Sequence, residues 1–302
     1  MRLRRSELST PGHSEKMIAK AAASTADLVF LDLEDSVAPS AKVEARQTVV
    51  RGLRELDWGG KTRGVRINSA DTEWAHEDLL EVVHGAGDHL DLLILPKVKA
   101  PRDIWWVETL LDQLDRKQPR RAPIRLEVLI EEVEALINVE EIARCSPRLE
   151  ALIFGPGDFS ASQGVKTRAI GGDTPDYPGD VWHYARSKIV VAARAAGLEA
   201  IDGPFADLAD LEGYRRECRR ASVLGFAGKW AIHPSQIAVA NEVFAPTADE
   251  EAQARHVMEA YQQAQEDGLG AVSVDGKMVD AASVRILRAT VERADAIRNR
   301  RG

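Results

Sequence analysis

The sequence lacks most features that mark a secreted or membrane protein. It contains only two cysteines, Cys145 and Cys218, which are too few for a disulfide framework and have no metal-ligand spacing. A reducing compartment is the simpler interpretation, and we expect a cytoplasmic protein. The basic N-terminus MRLRRSELSTPG is not followed by the apolar segment of a secretory signal. No run of about 18 uncharged apolar residues occurs, so no segment is predicted to span a bilayer.

The net charge and several missing motifs narrow the functional classes. A net charge of −8 at pH 7 argues against nucleic acid or an anionic membrane as the main partner, because both attract basic surfaces. No G-x-G-x-x-G fingerprint follows the first β-rich segments, which disfavours a doubly wound dinucleotide-binding sheet. The segment GFAGKWAIHP is not a P-loop, because Trp230 stands where Ser or Thr is required. The nucleophile motif G-x-S-x-G is also missing.

What the chain does contain is a regular alternation of β-rich runs and helical segments. The β-rich runs are SELSTP, DLVFLDL, RGVRIN, DLLILPK, IRLEVLI, LEALIFG, LEAIDG and GKWAIH. Helical patterns between them include residues 41–56, 133–144 and 181–197, the last ending at Gly197. This alternation predicts a parallel sheet with helical crossovers, and eight units predict a closed α/β barrel of the (β/α)₈ or TIM type.

The predicted barrel domain covers residues 1–246, and residues 247–302 form a C-terminal helical extension. In this extension we expect no strands, but two helical segments joined by the turn-rich GLGAVSVDGKMVD. Within the barrel, the Pro/Gly-rich segment IGGDTPDYPGD, Ile170–Asp180, is predicted to be a long loop.

Polar residues follow the apolar part of most predicted strands. In a (β/α)₈ barrel the carboxyl ends of the strands form the catalytic mouth, so these side chains are expected to converge there. They are Asp32, Glu34, Asp35, Arg66, Asn68, Lys97, Glu131, Asp158 and His233.

Glu131 and Asp158 are the candidate metal ligands. Mg²⁺ prefers carboxylate oxygens and usually takes only one or two from the protein, so two carboxylates from successive strand ends fit it. An ordinary structural interpretation also exists for each residue. Glu131 and Glu132 could favour a helix N-terminus, a contribution of about 0.3–1 kcal/mol, and Asp158 could be an N-cap before FSAS. The spacing does not decide between these alternatives.

Arg66 and His233 also have two interpretations each. A guanidinium within a strand needs a partner, so Arg66 either forms a structural salt bridge with Asp32 or Glu34 or binds a substrate carboxylate. Its place at a barrel mouth favours the second alternative. His233, which precedes Pro234, is either a catalytic group or the cap of the last barrel helix.

Longer sequence blocks extend this picture. The chain contains, in order, PGHSEK, LDLEDSVAPSAKVEAR, VRIN, LILPKV, VLIEE, FGPGDFSASQG, GFAGKWAIHPSQI and DGKMVD. Together these blocks, from about Glu7 to Asp280, resemble the citrate lyase β-subunit-like branch of the HpcH/HpaI aldolase superfamily, the CoA-ester lyases. The segments IGGDTPDYPGDVWHYAR and AIDGPFADLADLEGYRRE are more similar to the malyl-CoA and β-methylmalyl-CoA lyases of that branch.

The resemblance implies a TIM barrel with a C-terminal helical lid, assembled as a homotrimer or homohexamer. The implied reaction is reversible, Mg²⁺-dependent cleavage of a 3-hydroxyacyl-CoA into an acyl-CoA and an α-keto acid, with Mn²⁺ as an alternative ion. Examples are L-malyl-CoA, which gives acetyl-CoA and glyoxylate, and β-methylmalyl-CoA, which gives propionyl-CoA and glyoxylate.

The resemblance also assigns residues. It makes Glu131 and Asp158 the metal ligands and leaves Glu132 as a helix-start residue. Arg66 would bind the α-keto acid, and Asp280 would be a catalytic acid or base that the lid delivers to a neighbouring subunit. The remaining substrate contacts would come from Lys20, Gly157, Ile232 and His233.

This chain departs from the pattern in its first block. Malyl-CoA lyases often read LFGPGSR where this chain has LSTPGHS, so Ser9 replaces an aromatic residue and Ser14 stands where an arginine is expected near the CoA phosphates. Alternatives within the family are a citramalyl-CoA lyase, a malyl-CoA thioesterase and a CoA-independent aldolase. An alternative of a different class is a non-catalytic assembly subunit that binds CoA esters.

Overall fold

The computed structural model describes residues 2–166 and 177–301, which form two compact units. The larger unit is Arg4–Glu242, and the smaller unit is the chain from Val243 onward together with the residues before Arg4. The division lies a few residues before the predicted domain boundary at 246. Residues 170–176 of the predicted loop lie outside the described part of the chain.

Eight parallel strands of the larger unit close into a barrel, which confirms the predicted fold. Each strand pairs with the next along the chain, and the last strand pairs with the first. All eight coincide with the β-rich runs of the sequence. The strands are β1 Ser6–Pro11, β2 Leu28–Asp32, β3 Thr62–Arg66, β4 Leu92–Leu95, β5 Arg125–Ile130, β6 Leu149–Phe154, β7 Glu199–Asp202 and β8 Gly228–Ala231.

Apolar side chains fill the interior of the barrel. Phe30 in β2 and Trp230 in β8 lie with their ring centroids 4.5 Å apart, within a buried cluster to which Leu92, Leu129 and Ile201 also belong. Helices cover the outside of the strands, so both faces are buried, and strands such as β2 and β4 are therefore nearly continuous apolar runs. Burial of each large apolar side chain contributes about 1.5–3 kcal/mol.

In the larger unit, helices connect each barrel strand to the next, and one more helix follows β8. The helix predicted over residues 133–144 is divided in two at Asn138, whose side-chain amide donates a hydrogen bond to the Lys99 carbonyl (2.9 Å). The helices are α1 Glu15–Ala22, α2 Lys42–Glu55, α3 Ala75–Ala86, α4 Pro101–Lys117, α5 Val133–Ile137, α6 Val139–Arg144, α7 Pro156–Gln163, α8 His183–Ala195, α9 Leu211–Leu224 and α10 Pro234–Val243.

The smaller unit contains two long helices, α11 Ala248–Glu266 and α12 Ala281–Arg301. The expectation that this region has no strands was wrong. Strands β9 Val272–Val274 and β10 Lys277–Val279 form an antiparallel hairpin. Asp275 and Gly276 both have positive φ, +50° and +75°, as a two-residue hairpin turn of this type requires. Among the described residues, no helix is long and apolar enough to cross a membrane.

Candidate active site

An arginine forms a salt bridge with an aspartate at the mouth of the barrel. Asp32 ends β2, Arg66 ends β3, and the two residues are register partners. The guanidinium donates from Nε to Asp32 Oδ1 and from Nη2 to Asp32 Oδ2, both at 2.7 Å. Asp32 has no exposed surface, and burial raises the pKa of its carboxyl, but the charge and hydrogen bonds of Arg66 outweigh burial and keep this pKa below its usual value. The structure thus contains the structural salt bridge that was one alternative for Arg66.

Glu34 extends this pair toward the next strand. Its carboxylate lies 2.9 Å from Arg66 Nη1 through Oε2 and accepts a hydrogen bond from Lys97 Nζ at Oε1 (2.7 Å). Burial raises the pKa of Glu34, and the positive charge of Arg66 only partly opposes this. Glu34 therefore links Arg66 at the end of β3 to Lys97 after β4 in one ionic network.

Trp230 lies under the guanidinium of Arg66. The Arg66 guanidinium carbon is 5.5 Å from the centroid of the Trp230 ring, a distance at which a cation and an aromatic face attract. The indole N–H donates to Glu7 Oε2 (3.0 Å) inside the barrel, where Arg4 pairs with Glu7 and Glu127. Burial raises the pKa of Glu7 to about 7, although Arg4 opposes this shift.

Glu131, directly after β5, is held on two sides. Its Oε1 accepts a hydrogen bond from the main-chain N–H of Lys97 (2.8 Å). Its Oε2 lies against Gly155, where an added Cβ would come within 2.6 Å of that oxygen and 2.5 Å of Glu131 Cβ. Gly155 is thus required here for space rather than for an unusual backbone conformation.

The environment of Glu131 disfavours an ionised carboxylate that has no cation bound beside it. Burial, and then the carboxylates of Glu34 and Asp158, raise its pKa to about 8, against the opposing Lys97 N–H and the charge of Arg66. A buried carboxylate surrounded by others is stabilised when a cation binds nearby. The oxygen donors present are those that Mg²⁺ prefers, so the site fits this ion.

Asp158 lies in the first turn of α7, where Gly155 is the N-cap. The alternative that Asp158 is itself the N-cap was therefore wrong. Gly157 precedes it in the same turn, and both residues are partly exposed. Glu132 precedes α5, and its carboxylate accepts a hydrogen bond from the Ser162 hydroxyl (2.8 Å), so its role is structural. Among the described residues, no group of three or more His, Cys, Asp or Glu side chains is arranged around a metal position.

A cleft of about 430 Å³ lies beside this carboxylate group. Lys20, exposed on α1, lines it together with Arg66, Ile232 and His233. The Ile232 N–H donates to the side-chain oxygen of the buried Gln236 (2.8 Å), so this N–H is already paired. His233 Nδ1 accepts from the Ser235 N–H (3.2 Å) at the start of α10, so the capping alternative is present in the structure.

Asp280 lies in the smaller unit, at the start of α12. Its Oδ1 accepts hydrogen bonds from the main-chain N–H and the hydroxyl of Ser283, at 2.9 and 3.0 Å. These hydrogen bonds lower the pKa of Asp280, which keeps it ionised. Asp280 is therefore a helix cap in this chain, and its catalytic role stays a prediction.

Sequence reasoning from strand ends found the polar residues but missed two contacts. It gave Lys97 no role, because the use of its main-chain N–H depends on a positive φ of 50° that no local pattern indicates. It used Trp230 only to exclude a P-loop and assigned it no contact in the site. The strict alternation of side chains in β8 could have placed Trp230 in the interior, on the face opposite Lys229.

Comparison with known proteins shows the family of the chain. The model of the HpcH/HpaI aldolase/citrate lyase family matches residues 5–234. An L-malyl-CoA/β-methylmalyl-CoA lyase of Cereibacter sphaeroides is 42% identical over 97% of this chain and 95% of its own. The mitochondrial citramalyl-CoA lyase of Rattus norvegicus is 35% identical over 98% of this chain and 88% of its own.

A solved structure shows the same architecture. The protein CitE of Mycobacterium tuberculosis, in complex with magnesium, acetoacetate and coenzyme A, has a TM-score of 0.77 and 30% identity, and the match covers 96% of this chain and 97% of CitE. The barrel and the matches in sequence define a class of α/β-barrel aldolases and lyases. The chain belongs to the HpcH/HpaI aldolase/citrate lyase family.

Proposed function

We propose that this protein is a Mg²⁺-dependent CoA-ester lyase that reversibly cleaves L-malyl-CoA into acetyl-CoA and glyoxylate, or β-methylmalyl-CoA into propionyl-CoA and glyoxylate. The observation that carries the proposal is the buried Glu131 carboxylate, grouped with Asp158 and Arg66 at the barrel mouth beside a cleft. The curated relative with 42% identity, which bears the name of this activity, supports it.

The barrel supplies the binding groups. Glu131 and Asp158 would hold Mg²⁺, with Mn²⁺ as a substitute, and the ion would supply Lewis-acid polarisation of the keto acid. Arg66 stabilises the same developing oxygen charge, and its orientation is fixed in advance by Asp32 and Trp230. The Lys97 N–H and the close approach of Gly155 restrict the orientation of the Glu131 carboxylate before an ion binds.

The cleft takes the acyl-CoA. Lys20 contacts the CoA ester, and the main chain at Ile232, His233 and Gly157 lies along the acyl group. Ser9 lines the same cleft, and Ser14 caps α1 by accepting from the Met17 N–H (3.4 Å), so neither position supplies the aromatic ring or the arginine of the similar lyases. We expect the CoA phosphates to depend more on Lys20 in this protein.

Asp280 is the proposed general acid and base. In the condensation direction it removes the α-proton of acetyl-CoA, and in cleavage it returns this proton, a contribution of about 10²- to 10⁴-fold. The lid formed by residues 247–302 brings Asp280 to the site of a neighbouring subunit, in a homotrimer or homohexamer, and excludes water from the enolate. Because Cys145 and Cys218 are both free thiols, we place the protein in the cytoplasm.

One experiment tests this function. The purified protein is incubated with acetyl-CoA and glyoxylate, with and without Mg²⁺, and malyl-CoA and free CoA are followed by mass spectrometry. Malyl-CoA that forms only with the metal supports the lyase, and propionyl-CoA is then the next substrate. Free CoA that accumulates with malate indicates a thioesterase. If no product forms, the same assay is run with citramalyl-CoA, which the similarity to the Rattus norvegicus enzyme favours as the second candidate.

A further inference from the structure

Lys97 has an unusual backbone conformation at the centre of the candidate site. It follows β4 by two residues and has a φ of +50°, one of two non-glycine residues in the described chain with positive φ. This conformation costs free energy for a residue with a Cβ, and it persists only where surrounding contacts compensate for it. The contacts of Lys97 therefore indicate what the strain achieves.

Two contacts of Lys97 reach two different carboxylates of the site. Its main-chain N–H donates to Glu131 Oε1 (2.8 Å), and its Nζ donates to Glu34 Oε1 (2.7 Å). A third carboxylate, Asp35, lies 3.5 Å from Nζ. The positive φ thus lets one residue hold the proposed metal ligand with its backbone while it places an ammonium among the acids.

Acidic groups outnumber cations around Lys97. Five carboxyl groups, Asp32, Glu34, Asp35, Glu131 and Asp158, face two cations that pair with their side chains directly, Arg66 and Lys97. The Lys42 ammonium also acts on Asp32, Glu34 and Asp35, but its hydrogen bonds go to the Leu33 and Glu34 carbonyls and to the Asn68 side chain. The Lys97 side chain is 29% exposed, so its charge is partly screened but is not lost in bulk solvent. Without Lys97, Arg66 would remain paired with these carboxyl groups, and Lys42 would remain bonded to main-chain oxygens beside them.

We propose that Lys97 is a positioning residue that fixes Glu131 through its backbone and, through its ammonium, sets the balance between metal affinity and keto-acid affinity. The ammonium repels a divalent cation and attracts an anionic keto acid. Its removal therefore has opposite effects on the two ligands. This inference rests on the proposed function, since it takes Glu131 and Asp158 as metal ligands.

The test compares Lys97→Met and Lys97→Arg with the wild-type full-length protein. Methionine keeps the unbranched stem and the same backbone penalty but removes the charge and the Nζ hydrogen bond to Glu34, whereas arginine keeps the charge. Lys117→Met is the matched control, because Lys117 is an exposed lysine at the last residue of α4, the end remote from the mouth. Mn²⁺ binding is measured by electron paramagnetic resonance at low salt, and glyoxylate binding to the metal-loaded protein is measured by calorimetry.

We expect Lys97→Met to bind Mn²⁺ about 3- to 10-fold more tightly and glyoxylate more weakly by a similar factor, the size of a screened interaction between nearby charges. Lys97→Arg, which keeps the charge, should restore both affinities toward wild type, and Lys117→Met should change neither. A merely structural lysine gives a different result, because its loss would weaken both ligands together and lower the melting temperature.

Several outcomes would overturn the inference: weaker or unchanged Mn²⁺ binding in Lys97→Met, unchanged glyoxylate binding, or the same effects in Lys117→Met. These outcomes are separable from a failure of the proposed function. A wild-type protein that binds no Mn²⁺ would refute the metal-dependent lyase itself. If Mn²⁺ binds and responds to Lys97 but no malyl-CoA or citramalyl-CoA chemistry occurs, only the proposed reaction fails.

Discussion

The substitution Gly155→Ala should separate metal binding from folding. The new Cβ would lie 2.5 Å from Glu131 Cβ and 2.6 Å from Glu131 Oε2, well inside van der Waals contact. Gly155 has a φ of −103°, which alanine also adopts, so the change adds a clash without a forbidden backbone angle. Rotation of the Glu131 carboxylate can relieve the contact with Oε2, but the contact with Glu131 Cβ requires a small backbone shift, which the Gly155 N–H bond to the Ile130 carbonyl (3.2 Å) resists. We therefore expect both a displaced carboxylate and a loss of stability.

The expected magnitudes follow from this clash. Overpacking costs about 1–3 kcal/mol, which at about 2 °C per kcal/mol for a chain of this length lowers the melting temperature by about 2–6 °C. Displacement of a ligand from its supported orientation should weaken Mg²⁺ binding by about 10- to 100-fold. Thermal unfolding by circular dichroism measures the loss of stability, and calorimetric titration with Mg²⁺ measures the loss of affinity.

A matched glycine supplies the control. In Gly85→Ala the new Cβ would lie 2.9 Å from Val50 Cγ1, where α3 packs near α2. This variant should lose stability but bind Mg²⁺ as wild type does. If Gly155→Ala folds and binds Mg²⁺ with wild-type affinity, Glu131 is not the ligand that the geometry indicates, and the reasoning is refuted.

Three further predictions concern other parts of the site. Asp280→Asn should reduce turnover by about 10²- to 10⁴-fold while Mg²⁺ and glyoxylate binding stay intact, and normal turnover would remove Asp280 from the mechanism. Arg66→Lys should reduce kcat/KM by about 10²- to 10³-fold, because a lysine cannot reproduce the fork that binds Asp32; an unchanged kcat/KM would contradict this role. The third prediction concerns pH. The folded protein holds the Glu7 proton up to about pH 7, whereas the unfolded chain releases it near 4.5, so the free energy of unfolding should fall by roughly 3 kcal/mol as pH rises between these values. Urea unfolding at pH 5 and pH 8 should show a smaller pH difference in Glu7→Gln than in wild type, and an equal difference would exclude Glu7 as the source.

The sequence by itself determined the barrel because its signals are local. A β-rich run such as DLVFLDL is apolar enough to be buried on both faces, and the helical segment that follows it requires a crossover connection. The hairpin in the smaller unit was equally local, since Asp275-Gly276 between Val274 and Lys277 is a common two-residue turn. It was missed because the whole segment was interpreted as a turn-rich connection.

The candidate site was only partly predictable. That Glu131 and Asp158 follow strands was visible in the chain, because strand ends can be located from apolar runs. The catalytic assignment of Asp280 came from resemblance alone, and the structure adds that Ser283 holds its carboxylate. No periodicity marks such a residue, since its proposed role depends on another subunit.

Only the tertiary structure decided which polar groups contact each other. Closure of the barrel brings Asp32, Arg66 and Glu34 together, and a positive φ at Lys97 turns its N–H toward Glu131. These contacts join residues that lie 32 or more positions apart, and their energies depend on burial and on angles that no short segment specifies. The sequence thus determined the strands of the barrel and the position of the mouth, because both arise from local periodicity. The tertiary structure determined the charge network, because electrostatic interactions depend on distances across the assembled barrel.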